Sequence, residues 1–191
     1  NAVALIKSNK ELELFSFNGL YSGKTWKDIT NSSYRYKDNQ WKLIKSAGSS
    51  QPVLASTAVS IGLDIYVIGG YTVDKNHNEK SMPEIYKYNT LTNHWETETQ
   101  MPIPVDDTVA LVYKERYIYL ISGWFDVDNV SDVQVYDTLD KKWFSATNFP
   151  APAVFGHAGG IVGNQLLICD GVKVKKSDDK KEFSSSPICV V

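Results

Sequence analysis

The chain has 191 residues, of which 42% are hydrophobic and 22% are charged, ordinary values for a globular protein with a core. Its formal net charge of -2 gives no electrostatic reason to expect binding to nucleic acid or to anionic lipid. No apolar run approaches the roughly 18 residues that a membrane-spanning helix needs.

The start of the chain and its cysteines bear on where the protein works. The chain begins at Asn1, without an initiator methionine or a basic and then apolar leader, so we expect a mature chain or a fragment. Two cysteines are too few for a disulfide scaffold and leave the redox compartment open. The location is therefore undetermined, with an extracytoplasmic one favoured over a cytoplasmic one.

Two groups of residues recur along the chain at intervals of about 50 residues. Glycines that close an apolar run stand at Gly19, Gly70, Gly123 and Gly171. Tryptophans stand at Trp41, Trp95 and Trp143. A tyrosine precedes two of these tryptophans by seven residues: Tyr88 precedes Trp95, and Tyr136 precedes Trp143. Such a period indicates an array of similar supersecondary units.

Each unit predicts four short antiparallel strands, a to d, separated by glycine and polar residues. In the first unit (1–52) strands a and b contain residues 3–6 and 15–17, strand c ends near Tyr36 and strand d begins at Trp41. In the second unit (53–104) the same features are residues 56–61, residues 66–68, Tyr88 and Trp95. The b strands are apolar on successive residues, which is expected of a sheet covered on both faces.

The third and fourth units continue this pattern. In the third unit (105–152) the features are residues 109–113, residues 119–121, Tyr136 and Trp143. In the fourth unit (153–191) strands a and b contain residues 157–162 and 167–169, and the tryptophan that should follow lies beyond the last residue given. We expect Cys169 to be a small core residue, and a disulfide with Cys189 in the neighbouring strand is left open.

The order of paired glycine, tyrosine and tryptophan at this period resembles the kelch repeat, in which one repeat is one blade of a β-propeller. The resemblance implies an all-β fold: a single partial propeller domain over residues 1–191, with about four blades of four-stranded antiparallel sheet, the last incomplete. It also implies that the repeated tryptophans are buried between blades. Kelch propellers usually close with more blades, so we expect the remaining blades or a second chain to be needed for closure.

Function is expected where the repeat is interrupted, because binding residues often lie in long loops on a rigid scaffold. The b–c loops are predicted to be long, over residues 20–33, 71–83, 124–131 and 172–187. In a four-stranded meander they lie at the same end as the d–a connections. The predicted ligand-binding residues from these two sets of loops are Tyr71, Asp74, Asp106, Asp107, Trp124, Phe125, Asp126, Phe155 and His157.

Several of these residues also have purely structural interpretations. Trp124 and Phe125 are either an exposed pair suited to a sugar or a peptide, or a local hydrophobic plug. His157 is more simply a hydrogen-bonded structural residue. Asp106 and Asp107 could form a general acid–base pair, but adjacent residues of a strand point to opposite faces, which argues against that role.

No cofactor and no metal site is predicted. His77 and His94 fall in the second unit and His157 in the fourth, and neither HxxxH nor CxxC spacing occurs. The segment from Asp126 begins like a calcium loop, but Ser131 stands where the loop requires glycine. Copper oxidases similar to galactose oxidase use a kelch-like propeller, yet their two histidine ligands and Cys–Tyr pair have no counterpart here.

Two classes of function remain open. The first is a kelch-repeat binding module that recognises a protein or a glycan through its b–c loops, without nucleic acid or a membrane span. The alternative is a propeller enzyme acting on a sugar, similar to the sialic acid mutarotases. The arginines, Arg35 and Arg116, both lie away from the predicted ligand face, which disfavours an anionic ligand.

Overall fold

Three four-stranded antiparallel sheets and one three-stranded sheet follow one another along the chain in the computed structural model, which describes residues 1–8, 11–46, 51–150, 152–177 and 180–191. We call these sheets blades 1 to 4. In each, sequence neighbours pair within the sheet, and a connection between the second and third strands leaves it at one end. The predicted all-β propeller fold is confirmed.

Blade 1 is a plain meander. Its strands are β1 (Ala2–Ser8), β2 (Glu11–Leu20), β3 (Ile29–Lys37) and β4 (Gln40–Ile44), with a short 3-10 helix at Trp26–Asp28. The bounds of the loop predicted over residues 20–33 are wrong, because the connection in the structure covers residues 21–28. The pairing of β2 with β3 continues past an irregularity between Phe17 and Gly19 as far as the pair Leu20 and Ile29, so both strands extend into the predicted loop.

Blades 2 to 4 carry an extra two-stranded hairpin between their second and third strands. Blade 2 has β5 (Thr57–Ile61), β6 (Asp64–Ile68), the hairpin strands β7 (Tyr71–Val73) and β8 (Glu79–Ser81), then β9 (Glu84–Asn89) and β10 (His94–Gln100). Blade 3 has β11 (Val109–Tyr113), β12 (Tyr117–Ile121), the hairpin strands β13 (Trp124–Phe125) and β14 (Asp128–Asn129), then β15 (Val133–Asp137) and β16 (Lys142–Ser145). Blade 4 has β17 (Ala158–Val162), β18 (Gln165–Cys169), the hairpin strands β19 (Val172–Ser177) and β20 (Lys180–Ser185), then β21 (Cys189–Val190).

Apart from its hairpin, blade 4 has three strands among the described residues (β17, β18 and β21), in agreement with the predicted incomplete last blade. Its third strand, β21, is short and pairs with β18 at Ile168–Val190 and Cys169–Cys189. The facing cysteines form a disulfide, so the bond left open by the sequence is present.

The hydrophobic core consists of layers between successive blades. The layer between blades 1 and 2 contains buried side chains of both sheets: Ala2, Ala4, Ile6, Phe15, Phe17, Ile65, Val67, Tyr88 and Trp95. In β6, Ile65 and Val67 enter this layer, while Tyr66 and Ile68 enter the next one, against blade 3. This explains the consecutive apolar residues of the b strands, because both faces of such a sheet are covered.

The repeated tryptophans pack toward the preceding blade. Trp95 is buried and its indole Nε1 donates a hydrogen bond of 2.8 Å to the carbonyl of Lys45, in the segment after blade 1. Trp143 packs on Tyr136 with ring centroids 5.0 Å apart, and its Nε1 donates to the Thr99 hydroxyl. Trp41 departs from the predicted burial and is 51% exposed, because the described chain places no blade against that face of blade 1.

Candidate functional site

The hairpins and the d–a connections meet at one end of the blades, which we call the hairpin end. Three isolated antiparallel bridges join them: Leu54 with Tyr71, Asp106 with Trp124, and Phe155 with Val172. At the opposite end the c–d turns bond to the a–b turns, as when the Thr90 amide donates to the Leu63 carbonyl. The predicted arrangement of the two sets of loops is therefore confirmed.

Hydrogen bonds also link the d–a connections to one another. The Asp107 amide donates to the Ala55 carbonyl at 3.0 Å, and the Gly156 amide donates to the Asp107 carbonyl at 2.9 Å. All three residues adopt positive φ, with values of 52°, 47° and 60° for Ala55, Asp107 and Gly156. Equivalent turns of three blades are thus tied by main-chain bonds, which makes the base of the hairpin end a rigid support.

A pocket of about 200 Å³ opens at this end, and we call it the acidic aromatic pocket. Its lining combines carboxyl and aromatic side chains from three blades: Tyr71, Glu79, Asp106, Asp107, Trp124, Phe155 and Phe183. Five of these residues, Tyr71, Asp106, Asp107, Trp124 and Phe155, belong to the set predicted from the sequence.

Three rings form one wall of the pocket. The Trp124 centroid lies 5.4 Å from that of Phe155 and 6.1 Å from that of Phe183, and the Phe155 and Phe183 centroids are 6.1 Å apart. Trp124 and Phe155 are half-buried, while Phe183 on β20 is 56% exposed. The cluster combines both interpretations of Trp124, because it packs the blade 4 hairpin onto blade 3 and still presents ring surface to solvent.

Asp106 is the buried carboxyl of the pocket, with 2% of its surface exposed. The Ser81 hydroxyl donates a hydrogen bond of 2.6 Å to its Oδ2. Burial raises the pKa of Asp106 and the negative charges of Asp107, Glu79 and Asp126 add to this rise, so that the pKa reaches about 7 although the Ser81 hydrogen bond opposes the shift. Burial also raises the pKa of Asp107, and the negative charge of Glu79 contributes in the same direction.

The expectation that Asp106 and Asp107 point to opposite faces is wrong, because both side chains line the pocket. The reason is the backbone. Asp107 has a φ of 47°, in the left-handed region, so the two residues do not follow the alternation of a strand. Two carboxyl groups of raised pKa therefore share one cavity.

The remaining predicted residues do not line the pocket. The Asp126 Oδ1 accepts a hydrogen bond from the Ser81 amide at 2.9 Å, so Asp126 supports the pocket from behind Ser81. Phe125 pairs with Asp128 within its hairpin. Asp74 accepts hydrogen bonds from the amides of Asn76 and Asn78 and shapes the turn of its own hairpin.

His157 has the structural role that was the simpler interpretation. Its Nε2 lies 2.8 Å from the Ile121 carbonyl and its Nδ1 is buried. Burial lowers the pKa of His157, and the Ile121 bond partly offsets this. The imidazole therefore belongs to the packing between blades 3 and 4.

Sequence reasoning missed Glu79 and Phe183, which line the pocket, and Lys181, whose ammonium lies 4.7 Å above the Trp124 ring. All three come from hairpin strands that were interpreted as irregular loop. A period-two placement of Lys181 and Phe183 on one side of a strand would have indicated their shared surface.

Replacing Asp106 with asparagine should remove a pH dependence of stability. A carboxyl whose pKa is raised from 3.8 to about 7 in the folded state binds its proton more tightly there. The free energy of unfolding of the parent protein should therefore fall as pH rises from about 4 to about 7 and stay level above that. The size of the pKa shift sets an upper limit of roughly 4 kcal/mol on this fall in the free energy of unfolding. We expect a fall of about 2 kcal/mol, because solvent that reaches the pocket weakens the effect.

Urea unfolding at pH 5, 6, 7 and 8 measures this loss. Asp74→Asn is the control, because the bonds from Asn78 lower the pKa of Asp74 and remove its titration from this range. The interpretation fails if Asp106→Asn and Asp74→Asn show the same slope of stability against pH.

Successive antiparallel sheets that pack face to face, with their hairpins at the same end, are characteristic of a β-propeller. A family model for the Kelch motif matches residues 53–102. An F-box/kelch-repeat protein of Arabidopsis thaliana is 27% identical over 153 residues, which cover 73% of this chain and 41% of that protein. Kelch-like protein 25 of Xenopus tropicalis is 30% identical over 115 residues, 56% of this chain and 19% of that protein.

A solved structure of YjhT aligns with 98% of this chain, and the aligned part makes up 65% of the YjhT chain. The TM-score is 0.69 and the sequence identity is 16%, so the similarity is one of fold. The Kelch motif, the kelch-repeat relatives and the propeller fold together support a kelch-repeat propeller protein. It spans less than half the length of the two curated relatives named above. Within the described ranges, no helix has the length and apolarity needed to span a bilayer, and no group of three His, Cys, Asp or Glu residues could hold a metal ion.

Proposed function

We propose that this protein is a binding module that recognises a segment of another protein through its hairpin end. The observation that carries the proposal is the acidic aromatic pocket, where hairpins and d–a connections of three blades bring half-exposed rings and carboxyl groups together. Amphipathic rings supply large contact area at low entropic cost, and a rigid base holds them in place. The kelch-repeat family, commonly protein-binding, is consistent with this role.

The test is a selection of random displayed peptides against the immobilised protein, followed by affinity measurements on two variants. Trp124→Ala should weaken a selected peptide by about tenfold or more, because aromatic anchors dominate binding free energy at interfaces. Trp41→Ala is the matched control, since Trp41 is 51% exposed but lies on the outer face of blade 1. It should leave the affinity unchanged.

Peptides that respond to Trp41→Ala and not to Trp124→Ala would move the binding surface to the face of blade 1 and overturn the proposal. A glycan array run on the same variants covers the second ligand class. If no peptide is selected and glycan binding depends on Trp124, the proposed ligand would be a sugar and not a protein.

A sugar-handling enzyme is the second candidate, and one observation favours it. The Asp106 carboxyl has a pKa of about 7 and shares the pocket with Asp107, which suits general acid–base help in opening a sugar ring. Saturation-transfer NMR on an anomeric mixture measures this activity. Accelerated anomer exchange that Asp106→Asn abolishes would support the enzyme, while exchange at the uncatalysed rate would remove this candidate.

We also propose that a further blade, from the same polypeptide or from a second chain, covers the outer face of blade 1. This face carries large apolar side chains with at least half of their surface exposed: Val3, Leu5, Trp41 and Leu43. Trp95 and Trp143 each pack toward a preceding blade, so an equivalent neighbour would bury Trp41 in the same way. Covering this surface would also protect it from aggregation.

A further inference from the structure

We infer that the acidic aromatic pocket is a receptor for a cationic side chain, and that the partner segment presents a lysine to it. The inference rests on the proposed function and adds the chemical class of the ligand. Two features of the pocket carry it: the charge of its lining, and the ammonium group that the chain itself places over one of its rings.

The described lining residues offer negative charge and no cationic side chain. Glu79, Asp106 and Asp107 supply three carboxyl groups within one cavity of about 200 Å³. Arg116, which lies at the opposite end, is engaged by Asp137 and Asp140. An anionic ligand would meet repulsion from the carboxyl groups of this pocket, whereas an ammonium group would gain Coulomb energy in a partly desolvated cavity.

The rings add a second, independent preference for a cation. Tyr71 lines the same pocket as the Trp124, Phe155 and Phe183 cluster, so carboxyl groups and ring surfaces are available within one cavity. The faces of aromatic rings carry negative electrostatic potential and attract ammonium groups within about 6 Å of the centroid. Aromatic surface next to carboxylates therefore suits a lysine better than a neutral side chain of the same length.

The chain already uses this preference internally. Lys181 and Phe183 lie two residues apart on β20, so both face Trp124, and the Lys181 ammonium lies 4.7 Å from the centre of its indole. The internal lysine shows that a primary ammonium fits over this ring. It also makes Lys181 a competitor, which a partner lysine must displace before it occupies the same face.

The experiment uses two synthetic peptides of glycine and serine that differ at one central residue, lysine or norleucine. Norleucine keeps the apolar stem and lacks the ammonium group. The Trp124 indole N–H signal, assigned by its loss in Trp124→Phe, is followed by NMR during titration of the 191-residue chain. We expect the lysine peptide to shift this signal saturably and to bind roughly tenfold more tightly than the norleucine peptide.

Two variants of β20 test the competition. Lys181→Gln should raise the affinity for the lysine peptide by about threefold, because it frees the indole face. Lys180→Gln makes the same change in net charge without vacating that face and should leave the affinity unchanged. The inference is overturned if the lysine peptide gives no saturable shift, if both peptides bind equally, or if the two variants have equal effects. Selected peptides that still depend on Trp124 would then keep the proposed function while removing its cationic specificity.

Discussion

Replacing Phe17 with alanine is expected to lower the free energy of unfolding by about 4 kcal/mol. The Phe17 side chain is 1% exposed and lies in the layer between blades 1 and 2. Its ring centroid is 5.5 Å from that of Trp95 and 6.3 Å from those of Phe15 and Tyr88. Truncation would remove one member of a closed aromatic cluster and leave a cavity between two sheets that cannot collapse independently.

Denaturation in guanidinium chloride, followed by tryptophan fluorescence, measures this loss. Phe144→Ala is the matched control, because it makes the same chemical change at a side chain that is 47% exposed on β16. We expect the control to cost about 1 kcal/mol or less. Equal losses in the two variants would show that the layer between blades 1 and 2 does not hold them together.

Replacing Gly70 with alanine is expected to cost roughly 3 kcal/mol and to disturb the pocket at the same time. Gly70 has a φ of 97°, and a Cβ added there would lie 2.5 Å from the Leu54 carbonyl oxygen. That oxygen accepts the hydrogen bond of the Tyr71 amide at 2.8 Å. Relief of the clash must therefore move the backbone that positions Tyr71.

Gly163→Ala separates the clash from the cost of the left-handed conformation alone. Gly163 has a φ of 61° and nothing within 4 Å of the added Cβ, so we expect a loss of about 1 kcal/mol. Thermal unfolding gives both values, and the pocket is monitored through the Trp124 indole signal. A shift of that signal in Gly70→Ala and not in Gly163→Ala is the expected result; identical spectra for the two variants would contradict it.

The repeated part of the fold was predictable because the period constrains every unit at once. The apolar runs ending at Ile68 and Ile121 and the tyrosines before Trp95 and Trp143 placed the strands correctly. Trp41 shares the motif but not the burial, since burial depends on a neighbouring sheet and not on the residue itself. A motif thus predicts the position of a side chain in its blade better than its environment.

The site was less predictable because it is built from the parts that do not repeat. Tyr71 and Trp124 could be found because each directly follows a repeated glycine, and Phe155 could be found because it lies in a d–a connection. Phe183 was missed because residues 172–187 were interpreted as a loop, and the repeat period does not specify the pairing of β19 with β20 that places its ring. The shared cavity of Asp106 and Asp107 depends on the positive φ of Asp107, which the identity of the residue alone does not predict.

The hydrogen bond from Trp95 to the segment after blade 1 has a consequence for synthesis of the chain on the ribosome. Blade 1 emerges before blade 2, yet the indole that covers its inner face is translated about 50 residues later. During that interval the nascent blade 1 exposes Phe15 and Phe17 to solvent or to a chaperone. Each new blade covers the exposed inner face of the blade before it and adds an apolar face of its own, so the growing polypeptide has at least one uncovered layer until the next blade folds.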